Sequence, residues 1–122
     1  MIALTKRKGP KALFTPQAKE MVKAVKQAAC TIYDLSEEDL LNDKSYTVAS
    51  VRFMCFSVLF NNAGLKDYAI ADAFGKSRNA VCNGLSKIEG QRDVYRDVRE
   101  AINTIITTAN EYPSKKFHWC IQ

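Results

Sequence analysis

Residues 67–89, DYAIADAFGKSRNAVCNGLSKIE, decide the fold. Ile70, Ala71 and Phe74 recur at helical spacing and form one apolar face. Asp67, just ahead of them, is placed to accept from the first free N–H groups of that helix. Gly75 can take the positive φ at which a helix stops, and Ser77 is the natural N-cap of a second helix. In that second helix Val81, Leu85 and Ile88 again recur at three and four. A pair of helices joined by so short a turn, with the small Ala71 where they cross, is the pattern of a DNA-binding helix-turn-helix.

The outer face of the second helix is polar: Arg78, Asn79, Asn83, Ser86 and Lys87, with Cys82 on its partly outward side. Arg and Asn make bidentate hydrogen bonds to guanine and adenine edges, and Ser meets base edges or phosphate. Cys82 suits a base methyl, a phosphate or simple packing. A solvated helix face would show the same polarity; the Ala-to-Gly spacing, the Ser cap and the short turn weigh for DNA. Lys76 stands where such turns usually bury an aliphatic side chain, and Gly84 is a poor mid-helix residue, costing about 1 kcal/mol against Ala. Gly84 therefore marks close packing or a backbone approach.

Outward from that stretch, 122 residues with 47% apolar composition suit one domain with one core. No apolar run approaches membrane-spanning length, and the start MIALTKRKGPKALF lacks the apolar segment of a secretory signal, so a cytoplasmic location is expected. Cys30, Cys55, Cys82 and Cys120 are scattered without a C-x-x-C pair, and His118 is the one histidine, so free thiols and no metal or cofactor are expected. The net charge is +5, and residues 1–29 carry seven Lys or Arg against one Glu. A basic leading segment on a helix-turn-helix suits a polyanion, because each cation near a phosphate releases a counterion.

Residues 1–14, with Lys6, Arg7, Lys8 and Lys11, read as a basic arm of the kind that lies in a minor groove. Thr15 and Pro16 start a helix that runs to Tyr33, with Met21, Val22, Val25, Ala29 and Ile32 inward and Lys19, Lys23 and Lys26 outward. Ser36 and Asp39 have the spacing of a capping-box variant for a short helix that Leu40 and Leu41 anchor. After a polar loop carrying Lys44, Thr47 is the expected cap of a long helix over 48–62. Its stripe is Val51, Met54, Cys55, Val58 and Leu59, widened by Phe53, Phe56 and Phe60. Arg52, the only charge on that helix, reads as a boundary residue or, beside the basic loop, as a phosphate ligand. Gly64 closes the helix and Lys66 precedes the central pair. Gly90 then separates that pair from a last amphipathic helix over 91–112, with Val94, Val98, Ile102, Ile105, Ile106 and Ala109 as its stripe. Residues 113–122 form a tail in which Phe117 and Trp119 can dock.

From about Val25 to Ile106 the chain resembles the C-terminal DNA-binding domain of the bacterial replication initiator DnaA. Tyr33 followed by the Asp39, Leu40, Leu41 helix, Lys44 and Arg52 in a basic loop and helix start, IADAFG at 70–75 and KIE at 87–89 carry the likeness. KSRNA at 76–80 stands in place of that family's Gly-Arg-Asp-His-Thr-Thr signature and is one residue shorter. The resemblance implies an all-α, Trp-repressor-like domain of five to six helices over 15–112. It also implies Lys44 as a minor-groove or phosphate contact, Arg52 as a phosphate contact, and Ser77, Arg78 and Asn79 as base readers.

GKS at 75–77 ends like a phosphate-binding loop, but Ile70 stands where the first Gly is needed. With no ATPase signature and no catalytic grouping around His118, an enzyme is not expected. The function expected is sequence-specific binding of double-stranded DNA by Ser77, Arg78, Asn79, Cys82, Asn83, Ser86 and Lys87, with Lys44, Arg52, Lys66 and Lys76 beside them. Such a protein would be a small transcription regulator, a replication factor or a mobile-element factor. The alternative is a protein-protein interaction module that keeps the fold without reading DNA.

Overall fold

Side-chain caps and backbone bends set most of the helix ends in the computed structural model, which describes residues 16–111. The arm at 1–14, the Thr15 cap, Tyr112 and the tail with His118 and Cys120 lie outside the described residues, and the last helix ends at Asn110, short of Tyr112. Those residues form six α-helices and no strand: α1 Pro16–Tyr33, α2 Glu37–Asn42, α3 Tyr46–Ser57, α4 Asp67–Phe74, α5 Arg78–Val94 and α6 Arg96–Asn110. No helix among them is long and apolar enough to cross a membrane.

Helix α1 ends where Asp34 turns to φ 56, letting the Leu35 N–H reach the Cys30 carbonyl at 2.9 Å. Ser36 then caps α2, its Oγ accepting from the Asp39 N–H at 3.1 Å. The cap of α3 is Ser45 rather than Thr47: the Ser45 Oγ accepts from the Val48 N–H at 3.4 Å, so the helix begins two residues earlier than expected. Nor is α3 one regular helix to residue 62. It widens into a π-helical turn, Val58–Asn62, which Gly64 at φ 77 terminates while the Leu65 N–H reaches back to the Leu59 carbonyl at 3.0 Å.

All six helices and the π-helical turn contribute to one core. Val25, Leu40, Cys55, Phe56, Val58, Leu59, Ile70, Val81 and Ile105 are wholly or almost wholly enclosed. Phe56 meets Phe74 edge-on with ring centroids 5.1 Å apart, which ties α3 to α4. Phe60 falls outside the buried stripe of α3 and is exposed. The thiols of Cys30, Cys55 and Cys82 are free, and burial pushes that of Cys55 up to about 12, so it acts as a small apolar core residue.

Gly90 does not break the chain. Helix α5 runs through it to Val94, and the break comes at Tyr95, whose backbone is extended at φ −109 and ψ 119. Val94 consequently leaves the apolar stripe and is 70% exposed. The stripe of α6 is Ile102, Ile105, Ile106 and Ala109, with Val98 half-buried beside it, and it packs chiefly on α1.

Candidate nucleic-acid interface

The turn between α4 and α5 is built from three consecutive residues. Gly75 adopts φ 66 and ψ 34, a left-handed conformation that costs a residue with a Cβ about 1–2 kcal/mol. That bend lets the Gly75 N–H reach the Asp72 carbonyl at 3.3 Å and the Lys76 N–H reach the Ala71 carbonyl at 2.9 Å, the two bonds of a Schellman ending. Ser77 then caps α5, its Oγ accepting from the Ala80 N–H at 3.1 Å. The end of α4 is also held from outside. Lys26, expected to point outward from α1, instead donates through Nζ to the Ala73 carbonyl at 2.9 Å, with its ammonium 5.1 Å from the centroid of the Phe74 ring.

Helix α5 divides cleanly into two faces. Val81, Gly84, Leu85 and Ile88 are buried, and Gly84 sits close against α3: a Cβ there would lie 2.6 Å from Phe53 Cδ1 and 3.1 Å from Phe56 Cδ2. The outer face presents Ser77, Arg78, Asn79, Cys82, Asn83, Ser86 and Lys87, all exposed. From Arg78 to Ile88 the helix carries no carboxylate. Glu89, the first one, is turned toward α3, where it accepts from Asn61 Nδ2 at 2.6 Å and the Ser57 hydroxyl at 3.2 Å, and from Arg92 at 2.8 Å. The π-helical turn carries Asn61, so the widened end of α3 helps keep that charge off the outer face.

Asp67 does something the sequence did not suggest. The N-cap of α4 is the exposed Lys66, which makes no side-chain capping bond, and Asp67 is the first helical residue, its carboxylate accepting from the Tyr68 N–H at the helix start as expected. Its Oδ2 accepts from Arg78 Nε at 3.1 Å and from the Cys82 thiol at 3.3 Å, bridging α4 to two of the residues expected to contact DNA. Burial raises the pKa of the Asp67 carboxyl, but the hydrogen bonds from Arg78 and Cys82 and the Arg78 charge together hold it below the usual range. The bond to Asp67 in turn raises that of Cys82, keeping it a thiol rather than a thiolate.

Arg52 is placed quite differently from a phosphate ligand on an open surface. It is only 7% exposed; Nε donates to the Leu40 carbonyl at 2.9 Å, and a terminal nitrogen donates to the Asp43 carbonyl. These two bonds fasten the loop that carries Lys44 to the first turns of α3. The Asp43 Oδ1 also accepts from the Ser45 N–H at 2.8 Å, closing a small turn under Lys44. The D-x-S spelling of 43–45 is a sequence signal for that turn, whereas nothing local marks Arg52 as its fastener. Lys44 is exposed, Lys76 half-buried. The ammonium pKa of Lys76 is pulled below its ordinary value, first by burial and then by the positive charges of Arg52 and Lys44. Two separate connections, 43–45 and 75–77, therefore bring their lysines into one positive region.

A scan against protein-family models matches none of them to this chain, and a search of curated proteins yields no significant match.

Proposed function

We propose that the protein binds double-stranded DNA in a sequence-specific manner, with α5 in the major groove as the second helix of a helix-turn-helix. The observation that carries this reading is the outer face of α5, where Arg78, Asn79, Cys82, Asn83, Ser86 and Lys87 stand together on a helix without a carboxylate from Arg78 to Ile88. Arg78 and Asn79 at its start are the base readers, because residues in the first turn of such a helix reach deepest into the groove. Lys44, Lys66 and Lys76 meet phosphates, and Arg52 acts by fixing the Lys44 loop. The likeness to the DnaA C-terminal domain supports the same arrangement and a role as a small regulator or mobile-element factor.

Selection from a random duplex library, followed by affinity measurements across salt concentrations, tests the reading. The expected result is one enriched motif and an affinity that falls steeply with salt. Arg78→Ala and Asn79→Ala should each cost about 1–3 kcal/mol and relax the preference, whereas Lys44→Ala and Lys76→Ala should weaken every sequence alike and flatten the salt slope. Equal losses on selected and random DNA for both classes would refute these roles.

A second reading draws on a different place. Val94 and Tyr95, 70% and 57% exposed, lie side by side where α5 meets α6, as an apolar spot on a partner-binding module would. Absence of salt-dependent affinity for any duplex, with Val94→Asp abolishing capture of a specific partner, would favour it.

A further inference from the structure

Tyr46 is 74% exposed, the most open of the large apolar side chains among the described residues. It is the first residue of α3, two positions after Lys44. The core does not use it, since Val48 and Val51 supply the buried side of that turn. Nor does it sit on loose chain. The Asp43 carboxylate holds the Ser45 N–H, the Ser45 hydroxyl holds the Val48 N–H, and Arg52 ties the loop to the body through the Leu40 and Asp43 carbonyls. The phenol ring is thus held out in water on a backbone fixed from both sides, next to the positive region that Lys44 and Lys76 share. An aromatic ring beside cations that track a phosphate backbone is the arrangement on which nucleobases stack.

In a closed duplex each base face is covered by its neighbours, and opening a step for a protein ring costs a few kcal/mol. A base that is already unpaired carries no such cost. We propose that Tyr46 stacks on an unpaired nucleobase next to the duplex held by α5, with Lys44 and Lys76 on the flanking phosphates, so that DNA carrying an unpaired base beside the site is the preferred ligand. This rests on the DNA-binding reading above and adds a ligand class and a residue to it.

The test uses the full chain and a series of duplexes containing the selected site, each with a single unpaired 2-aminopurine at a successive position, compared with the fully paired duplex. One position should bind about tenfold tighter than the paired duplex, with quenching of the 2-aminopurine emission. Tyr46→Ala should lose that gain and the quenching while keeping wild-type affinity and salt slope on the paired duplex; Tyr46→Phe should keep both. A second signal comes from the Y46W variant in a W119F background, whose indole emission should drop only on the duplex with the unpaired base. Stacking is overturned if no position gives a gain, or if the gain survives in Tyr46→Ala, while paired duplex is still bound with a steep salt slope. If wild-type protein binds no duplex in a salt-dependent way, the DNA-binding reading fails and takes this inference with it.

Discussion

The two connections that carry Lys44 and Lys76 do similar work by opposite means. At 75–77 the turn is specified by its own residues: Gly75 supplies the left-handed bend, the Lys76 N–H closes onto Ala71, and the Ser77 hydroxyl caps the next helix. At 43–45 the local turn is only part of the device, and the loop is fastened by Arg52, which reaches back from inside α3 to two carbonyls. A turn written in adjacent residues fails piecemeal, one small bond at a time. A loop held by one remote guanidinium fails with that side chain, and the lysine it presents moves with it.

The largest break in this comparison should come from Arg52→Leu. Removing the guanidinium leaves the carbonyls of Leu40 and Asp43 without their donors, and the loss of charge-assisted bonds at a buried position should cost about 2–4 kcal/mol in urea unfolding. Arg52→Lys should recover only part of that, because a single ammonium does not reproduce the fork that spans two acceptors. Retention of wild-type stability by Arg52→Leu would show that the loop is held by something other than this side chain.

Next in size is Gly84→Ala, which probes the joint between the two regions, since Phe53 directly follows Arg52 and packs against Gly84. The added methyl would sit 2.6 Å from Phe53 Cδ1 and must push the ring aside. A strain of about 1–3 kcal/mol, offset by about 1 kcal/mol of improved helix propensity, leaves a net loss of about 1 kcal/mol. In a Phe53→Leu background the same substitution should be neutral or stabilising, and an equal loss in both backgrounds would show that the ring is not the obstacle.

The local turn should yield increments of similar size. Ser77→Ala removes the cap of α5 and should cost about 1 kcal/mol, and Gly75→Ala should cost about 1–2 kcal/mol for the left-handed conformation. The two sites are two residues apart in one turn, so the double variant should depart from the sum of the two, read by the urea midpoint at constant slope.

What was legible in the sequence follows the same division. The Gly75 bend, the Ser77 and Ser36 caps and the Val81, Leu85, Ile88 stripe depend on residues a few positions apart, and all stand in the structure as the spacing implied. Arg52 was legible as an unusual charge but not as a latch, because its partners are main-chain carbonyls, and a carbonyl has no sequence signature. Gly90 misled for a related reason: a missing Cβ lowers helix propensity by about 1 kcal/mol but does not stop a helix whose neighbours are already packed. The true break at Tyr95 carries no Gly or Pro to announce it. The inward Lys26 likewise finds its partner, the Ala73 carbonyl, in a segment distant in sequence. For the face expected to meet DNA, exposure followed directly from the stripe opposite it, whereas the bridge from Asp67 to Arg78 and Cys82 required the angle between α4 and α5, which no single-helix pattern contains.

That bridge sets the smallest and most discriminating expectation. Asp67 bonds directly to the outer face of α5, and it engages Arg78, proposed as a base reader. Because its hydrogen bonds hold it below the usual carboxylate range, folding favours the ionised form: its contribution is present above the unfolded pKa of about 3.9 and disappears as pH falls through the lower folded value. At neutral pH the exposed ion pair is screened by water, so Asp67→Asn should leave the unfolding midpoint nearly unchanged. Its effect should appear on binding instead. With the charge gone, Arg78 leaves at most a neutral amide oxygen to reach a guanine edge, and the like-charged group that opposes approaching phosphates is removed. Affinity for the selected duplex should therefore rise a few-fold in Asp67→Asn, and this gain should vanish when Arg78→Ala is added. A gain that persists without Arg78 would mean that Asp67 acts only through general repulsion of DNA. A loss of affinity in Asp67→Asn would mean that the bridge holds Arg78 in its reading position, so that the carboxylate is part of the recognition surface rather than a competitor for it.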